Sequence, residues 1–175
     1  PMVYYHVWDN FPAPEFNGKY YRSTDEVVCI SKVTHEIVKE VAPSVSSYYL
    51  PHAVNSTIFK APKTQEDKNE VESLRKQILA KSSLNNNNKK IFFWNNRNAR
   101  RKQSGTLIWW FKEWLDKVGH DKAMLLMHTD ARDPHGQDLP HIINKLKLNK
   151  GQVLLSTAKI DQPKLAAMYA AADYT

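Results

Sequence analysis

From residue 90 onward the chain alternates apolar, β-prone runs with helical patterns, and this alternation constrains its architecture more than any other feature. Residues 90–94, 123–128 and 152–156 read as strands, and residues 106–118, 139–146 and 163–172 read as helices. Each helix follows a residue suited to capping: Ser104, Asp138 and Asp161. Pro140 and Pro163 fall in first turns, where a missing N–H does no harm. Strand–helix repeats of this length build βαβ units around a parallel sheet, with right-handed crossovers. The fold class is therefore α/β, with Rossmann-like units.

A shorter version of the pattern precedes it. Residues 2–7 read as a buried strand and residues 8–19, with Pro12, Pro14 and Gly18, as a loop. Residues 20–24 are open between a short helix and a loop. Residues 26–30 form a second strand. Ser31 caps a helix over 32–41, and residues 48–50 form a third strand stopped by Pro51. A connector with Pro51 and Pro62 leads to a helix from Thr64. Its first turn is acidic, and Val71, Leu74, Ile78 and Leu79 share one face. The asparagine run 85–88 reads as a solvated turn. Residues 1–55 are thus expected to end one α/β domain, 56–89 to connect, and 90–175 to begin a second. Three βα pairs are about half of a complete doubly wound domain. The start on Pro1 and the end on Ala-Ala-Asp-Tyr-Thr suggest a piece of a longer protein.

Composition narrows the function classes. With 42% hydrophobic residues and nineteen aromatics, the chain can bury a core, which argues against disorder. A formal charge of +7 favours anionic partners without choosing among nucleic acid, nucleotides and acidic surfaces. The single cysteine, Cys29, excludes an intrachain disulfide and favours a reducing compartment. It lies in an apolar run and reads as a buried hydrophobe rather than a catalytic thiol. Asn55-Ser56-Thr57 matches a glycosylation acceptor, but nothing else points to secretion. No apolar run has the length of a membrane span.

The chemistry concentrates after the strand 90–94. Two asparagines follow it, then Arg97, Arg100, Arg101 and Lys102, then a helix. A basic loop between a strand and a helix N-terminus suits clustered negative charge, such as a diphosphate. Arginine offers phosphate a planar fork, and lysine a mobile point charge. Neither a Gly-x-Gly-x-x-Gly nor a Walker loop is present. His6, Trp8 and Asp9 follow the first strand, where α/β folds place ligands, although a lone histidine is more often structural. His52 lies on the connector. Asp130, Arg132, Asp133, His135 and Asp138 share one loop; a polar loop with an N-cap explains them better than a metal site. Leu107, Trp110, Phe111, Trp114, Leu115 and Val118 have the spacing of a packed helix face, with Trp109 left exposed.

Several segments resemble the family 4 glycosyltransferases, which have the GT-B fold, and the resemblance runs along almost the whole chain. Residues 24–31, Thr-Asp-Glu-Val-Val-Cys-Ile-Ser, are similar to a family segment in which Asp leads a strand ending in Ser. Residues 48–55, Tyr-Tyr-Leu-Pro-His-Ala-Val-Asn, resemble its interdomain Pro-His/Asn-Gly-Val-Asp, with Phe59 and Pro62 as the Phe-x-Pro beyond. Residues 91–105 resemble its Gly-Arg-x-x-x-x-Lys-Gly element. Residues 165–173, Leu-Ala-Ala-Met-Tyr-Ala-Ala-Ala-Asp, resemble its Leu-x-x-x-Tyr-x-x-Ala-Asp helix.

The resemblance implies a retaining sugar transfer from a nucleotide-diphosphate sugar, with Arg97 and Lys102 holding the diphosphate and no metal or other cofactor required. Trp8, Asp9, His52 and Thr157 become candidate donor or cleft contacts, Thr157 through the 157–159 loop near the base. The acceptor stays open among saccharides, lipid-linked molecules and proteins. The expected location is cytoplasmic, compatible with the face of a membrane. The chain departs from the family pattern at Asn96, Ala53 and Gln103, which stand at glycine positions, and at Trp8-Asp9, where the family often has His-Asp. The family's Glu-x7-Glu segment would follow Thr175 and its Gly-rich loop would precede Pro1, so the isolated chain is expected to lack transferase activity. The competing reading is a non-enzymatic basic α/β module that binds nucleic acid or phosphorylated ligands; nucleic acid is the less favoured partner.

Overall fold

The computed structural model describes residues 1–8, 10, 12–84 and 88–175, and the chain divides after Asn55 into two units. Asp9 and the asparagines 85–87, for which a site role and a turn were expected, lie outside the described residues.

The first unit is a parallel three-stranded sheet of β1 (Val3–His6), β2 (Glu26–Cys29) and β3 (Ser47–Tyr49), in that spatial order. A one-turn 3-10 helix leads into α1 (Gly18–Tyr21), and α2 (Lys32–Val41) crosses from β2 to β3. Ser31 starts α2 as expected, its hydroxyl accepting the Thr34 N–H at 3.0 Å. Tyr21, Val27, Cys29, Val38 and Ala42 form the core. Burial raises the Cys29 thiol pKa, as befits an apolar site rather than a nucleophile. The expectation of a buried first strand is corrected. Val3, Tyr4 and Tyr5 are 55%, 41% and 38% exposed, because β1 is an edge strand that, among the described residues, pairs with β2 alone. Of its four residues only His6 is buried.

The second unit opens with α3 (Gln65–Leu79). Thr64 and Asp67 cap it reciprocally, each side chain accepting the other's backbone N–H. A parallel sheet follows in the order β4 (Lys90–Asn95), β5 (Ala123–His128) and β6 (Val153–Ser156). The crossovers are α4 (Ser104–Val118) and α5 (Leu139–Lys145), and α6 (Gln162–Ala171) follows β6. Both faces of the sheet are covered. On one, Leu125, Met127 and Val153 pack with Ile108, Phe111 and Leu115 of α4 and with Leu139 and Ile143 of α5. On the other, Ile91, Phe93, Met124 and Leu126 pack with residues of α3 and α6. That is why β5 reads as an unbroken apolar run, since a parallel strand is buried on both sides. Each fully buried Leu or Met side chain contributes roughly 1.5–3 kcal/mol.

Two expectations about α4 are corrected. Its buried stripe is Ile108, Phe111 and Leu115, while Trp110 is 61% exposed and Trp114 and Val118 are also exposed. The stripe that faces the sheet is rotated off the Trp110–Trp114–Val118 row, which runs along the flank. Trp109 is exposed, as expected. Ser104 is the first helical residue and not the cap. The cap position belongs to Gln103, in a left-handed conformation at φ 49° and ψ 41° with no side-chain cap bond.

After α6 the chain returns to the far edge of β4. The Asp173 N–H donates to the Ile91 carbonyl at 2.8 Å, and the Phe93 N–H donates to the Tyr174 carbonyl at 2.8 Å. Phe92 and Tyr174 form a parallel bridge. The strand order therefore reverses at β4, with β5 and β6 on one side and residue 174 on the other. The Asp173 carboxylate fixes this return by accepting from the Ile91 N–H, Lys90 Nζ and Arg75 Nη2, at 2.8, 3.0 and 2.8 Å. Burial pushes its pKa up, but these bonds more than reverse that and hold it below the usual carboxylate value. Among the described residues no helix is long and apolar enough to cross a membrane.

Candidate anion-binding site

The point of strand reversal is where open α/β sheets form a crevice beyond their carboxyl ends. Here it lies beyond Asn95, whose Nδ2 donates to the Tyr169 hydroxyl of α6 at 3.2 Å. Tyr169 also sets its ring edge against Phe93, with centroids 4.9 Å apart. Two positions of the Leu-x-x-x-Tyr-x-x-Ala-Asp segment thus have visible work. Tyr169 reaches the end of β4, and Asp173 ties its start to α3.

Between β4 and α4, residues 96–103 carry the four cations, and their shape depends on Asn98. Asn98 is fully buried. Its Nδ2 donates to the Gln137 carbonyl at 2.7 Å, and its Oδ1 accepts from the Ser104 hydroxyl at 2.6 Å and from the Gln137 N–H at 3.3 Å. The partner segment is the β5–α5 loop, whose Asp133-Pro134-His135-Gly136 forms a β-turn closed by a Gly136 N–H to Asp133 carbonyl bond of 2.8 Å. Gly136 is required, because a Cβ there would stand 1.8 Å from the Asn98 carbonyl oxygen. The N–H groups of α4 were expected to be open to a ligand. One is not: Gly105 N–H donates to the Gln137 side-chain oxygen at 2.7 Å.

The cations fall into two groups. Arg97 lies against Asp133, with Nε to Oδ2 at 2.6 Å and Nη2 to Oδ1 at 3.3 Å. The Arg97 guanidinium, aided by the His135 backbone N–H, holds the Asp133 carboxyl at about 2. Asp133 in turn raises the Arg97 pKa. Arg100, Arg101 and Lys102 form an exposed 3-10 turn, and no carboxylate among the described residues pairs with them. The loop expected to be polar is polar. Asp138 caps α5 by accepting the His141 N–H at 3.1 Å, and Asp130 accepts the Arg132 N–H at 3.0 Å. Thr157 is exposed just beyond β6. Nearby, His128 Nδ1 and the Ser156 hydroxyl are 3.0 Å apart at the ends of β5 and β6.

The remaining candidates belong to the first unit. His6 is buried between two phenols, its Nε2 2.8 Å from the Tyr21 hydroxyl and its Nδ1 3.2 Å from that of Tyr4. Burial lowers its pKa and favours the neutral ring. Trp8 follows β1; its carbonyl accepts the Thr34 hydroxyl at 2.6 Å and its indole N–H donates to the Asn10 carbonyl at 3.0 Å. His52 is exposed and stacks on Tyr5, with centroids 5.4 Å apart. Within the second unit, then, the fold brings Arg97, Lys102 and Thr157 to one edge of one sheet. Asn98, Asp133 and Gln137 shape that edge. Their signal in the sequence was indirect: a turn-forming Asp-Pro-x-Gly after the strand next to the basic one.

Two Rossmann-like α/β units, the second with a parallel sheet that reverses at β4 below a cationic loop, have a partial GT-B architecture, the fold of a class of glycosyltransferases. Among the solved structures that show the likeness is sucrose-phosphate synthase (tll1590) from Thermosynechococcus elongatus. It matches over 90% of this chain with a TM-score of 0.61 and 18% identity. The chain spans 35% of that protein's length. No family model matches the chain, and no curated protein does.

Proposed function

We propose that the second unit receives the diphosphate of a nucleotide-sugar donor, and that the protein is a glycosyltransferase of the retaining, family 4 kind. One observation carries this reading: a loop with four cations occupies the carboxyl end of β4, where the strand order reverses. Departure of a nucleoside diphosphate places growing negative charge on the phosphate oxygens. Fixed cations there stabilise the transition state more than the ground state. Lys102 is exposed and without a carboxylate partner among the described residues, and Arg97 keeps its Nη1 edge clear of Asp133. In this reading the loop's cations and α4 do the electrostatic work, and no metal is required. Trp8, Asp9, His52 and Thr157 remain candidate contacts to the donor or the cleft. The acceptor is a saccharide, a lipid-linked molecule or a protein.

The likeness spans about a third of the neighbour, so the isolated chain is expected to bind nucleotide without turning over a donor. Titration calorimetry with UDP and GDP, alone and as sugar conjugates, tests the assignment. Each charge-assisted phosphate contact is worth about 1.5–3 kcal/mol, so removing Arg97 and Lys102 together should weaken binding at least about tenfold. Unchanged binding by R97A/K102A rejects the clamp. A steep salt dependence with oligonucleotides, and no preference among nucleotides, would instead support the nucleic-acid module.

A further inference from the structure

We propose that Asp133 is a positioning residue for the anion-binding guanidinium of Arg97. The inference rests on the diphosphate reading and adds a residue to it.

A guanidinium has five N–H donors in a rigid fork. In Arg97, Nε and Nη2 face the Asp133 oxygens at 2.6 and 3.3 Å, and Nη2 is also 3.3 Å from His135 Nδ1. Nη1 has no partner among the described residues. Two contacts to one carboxylate fix the plane of the group as well as its place. The two donors on Nη1 then point to one side only.

The anchor is itself held. The Asp133 side chain is 8% exposed, and its Oδ1 accepts the His135 N–H at 2.9 Å. The turn that carries it is pinned to the cationic loop through Asn98 and Gln137. Arg97, by contrast, has an exposed side chain, at 64%. Left alone, such a side chain would sample many rotamers and lose that freedom on binding. Asp133 imposes the restriction before the ligand arrives.

A carboxylate beside an anion site also repels the anion, and the two effects have opposite signs. Repulsion is weakened because the pair opens to water on the Arg97 side. Proximity is also indirect: the guanidinium lies between the carboxylate and the Nη1 edge. Orientation should therefore prevail.

The test is a double-mutant cycle over the native chain, R97A, D133N and the double variant, with UDP as the calorimetric probe and thermal melts in parallel. Asp133→Asn should weaken UDP binding about tenfold when Arg97 is present and by no more than about twofold when it is absent, the signature of coupled sites. A purely structural role would weaken binding equally in both backgrounds and overturns the proposal. So does unchanged or tighter binding by D133N, because the carboxylate would then be a competing charge. If D133N does not fold, Asp133→Ser runs the same cycle under the same criteria. Native chain that binds neither UDP nor GDP defeats both this proposal and the function it rests on; where GDP alone binds, GDP runs the same cycle under the same criteria. UDP binding that needs Arg97 and Lys102 but ignores Asp133 defeats this proposal alone.

Discussion

Gln103 holds a conformation that costs an ordinary residue energy. At φ 49° its Cβ crowds the following carbonyl, a penalty of roughly 1 kcal/mol that glycine does not carry. The position is the one where the resembling family has glycine, directly after the lysine that matches Lys102. Gln103→Gly removes the crowding but loosens the unfolded chain, so a net stabilisation of about 0.5 kcal/mol is expected. Thermal melts of the two proteins check it; a lower melting temperature for the glycine variant would mean that the backbone is not strained there. Residue identity alone made the cations of this loop legible. It could not show that Arg97 is partnered, because Asp133 is 36 positions away and meets it only through the pairing of β4 with β5.

At the scale of elements, periodicity carried most of the information. The three strands and three helices after residue 90 emerged within about two residues of their sequence limits, since both faces of the sheet are apolar and each helix has a clear start. The errors have local causes. Aromatic residues at helical spacing do not reveal which arc of the helix meets the sheet, so the spacing places Trp110 on the packed face while the fold leaves it outside. An apolar strand at a sheet edge reads like a central one, hence β1. The bracket between the β4–α4 and β5–α5 loops left no periodic trace, for it is built from one buried Asn, one Gln and one Gly. Gly136→Ala should expose how much depends on it. A methyl group 1.8 Å from the Asn98 carbonyl forces the loops apart, with an expected loss of at least about 2 kcal/mol. Denaturant titration measures this, and a loss under about 0.5 kcal/mol would show that the bracket yields easily.

Within each sheet every strand after the first pairs with the one before it in sequence, with one exception among the described residues. Strand order equals chain order in both sheets, and only the return of Asp173 and Tyr174 to β4 breaks the rule. Asp173 bonds with groups 82 and 83 positions away. Its folded pKa is depressed, so its contribution is present above the unfolded carboxylate value of about 3.9 and is lost as pH falls below it. Asp173→Asn is expected to destabilise the protein by about 1–2 kcal/mol at neutral pH. That difference should shrink in urea titrations as pH falls below about 3.9. A constant difference across that range would mean that the carboxylate charge contributes nothing.

The same exception sets an order of assembly. Contacts between sequence neighbours close short loops and form early, whereas a contact across more than eighty residues closes only when much of the chain between is already in place. β1 through β3 can pair with one another while β4 has yet to leave the ribosome, and β4 through β6 can then zip in turn. The Phe92–Tyr174 register comes after both of those pairings. A nascent chain consequently has no reversal point at β4 until residues 173 and 174 have been made and have crossed back over α6.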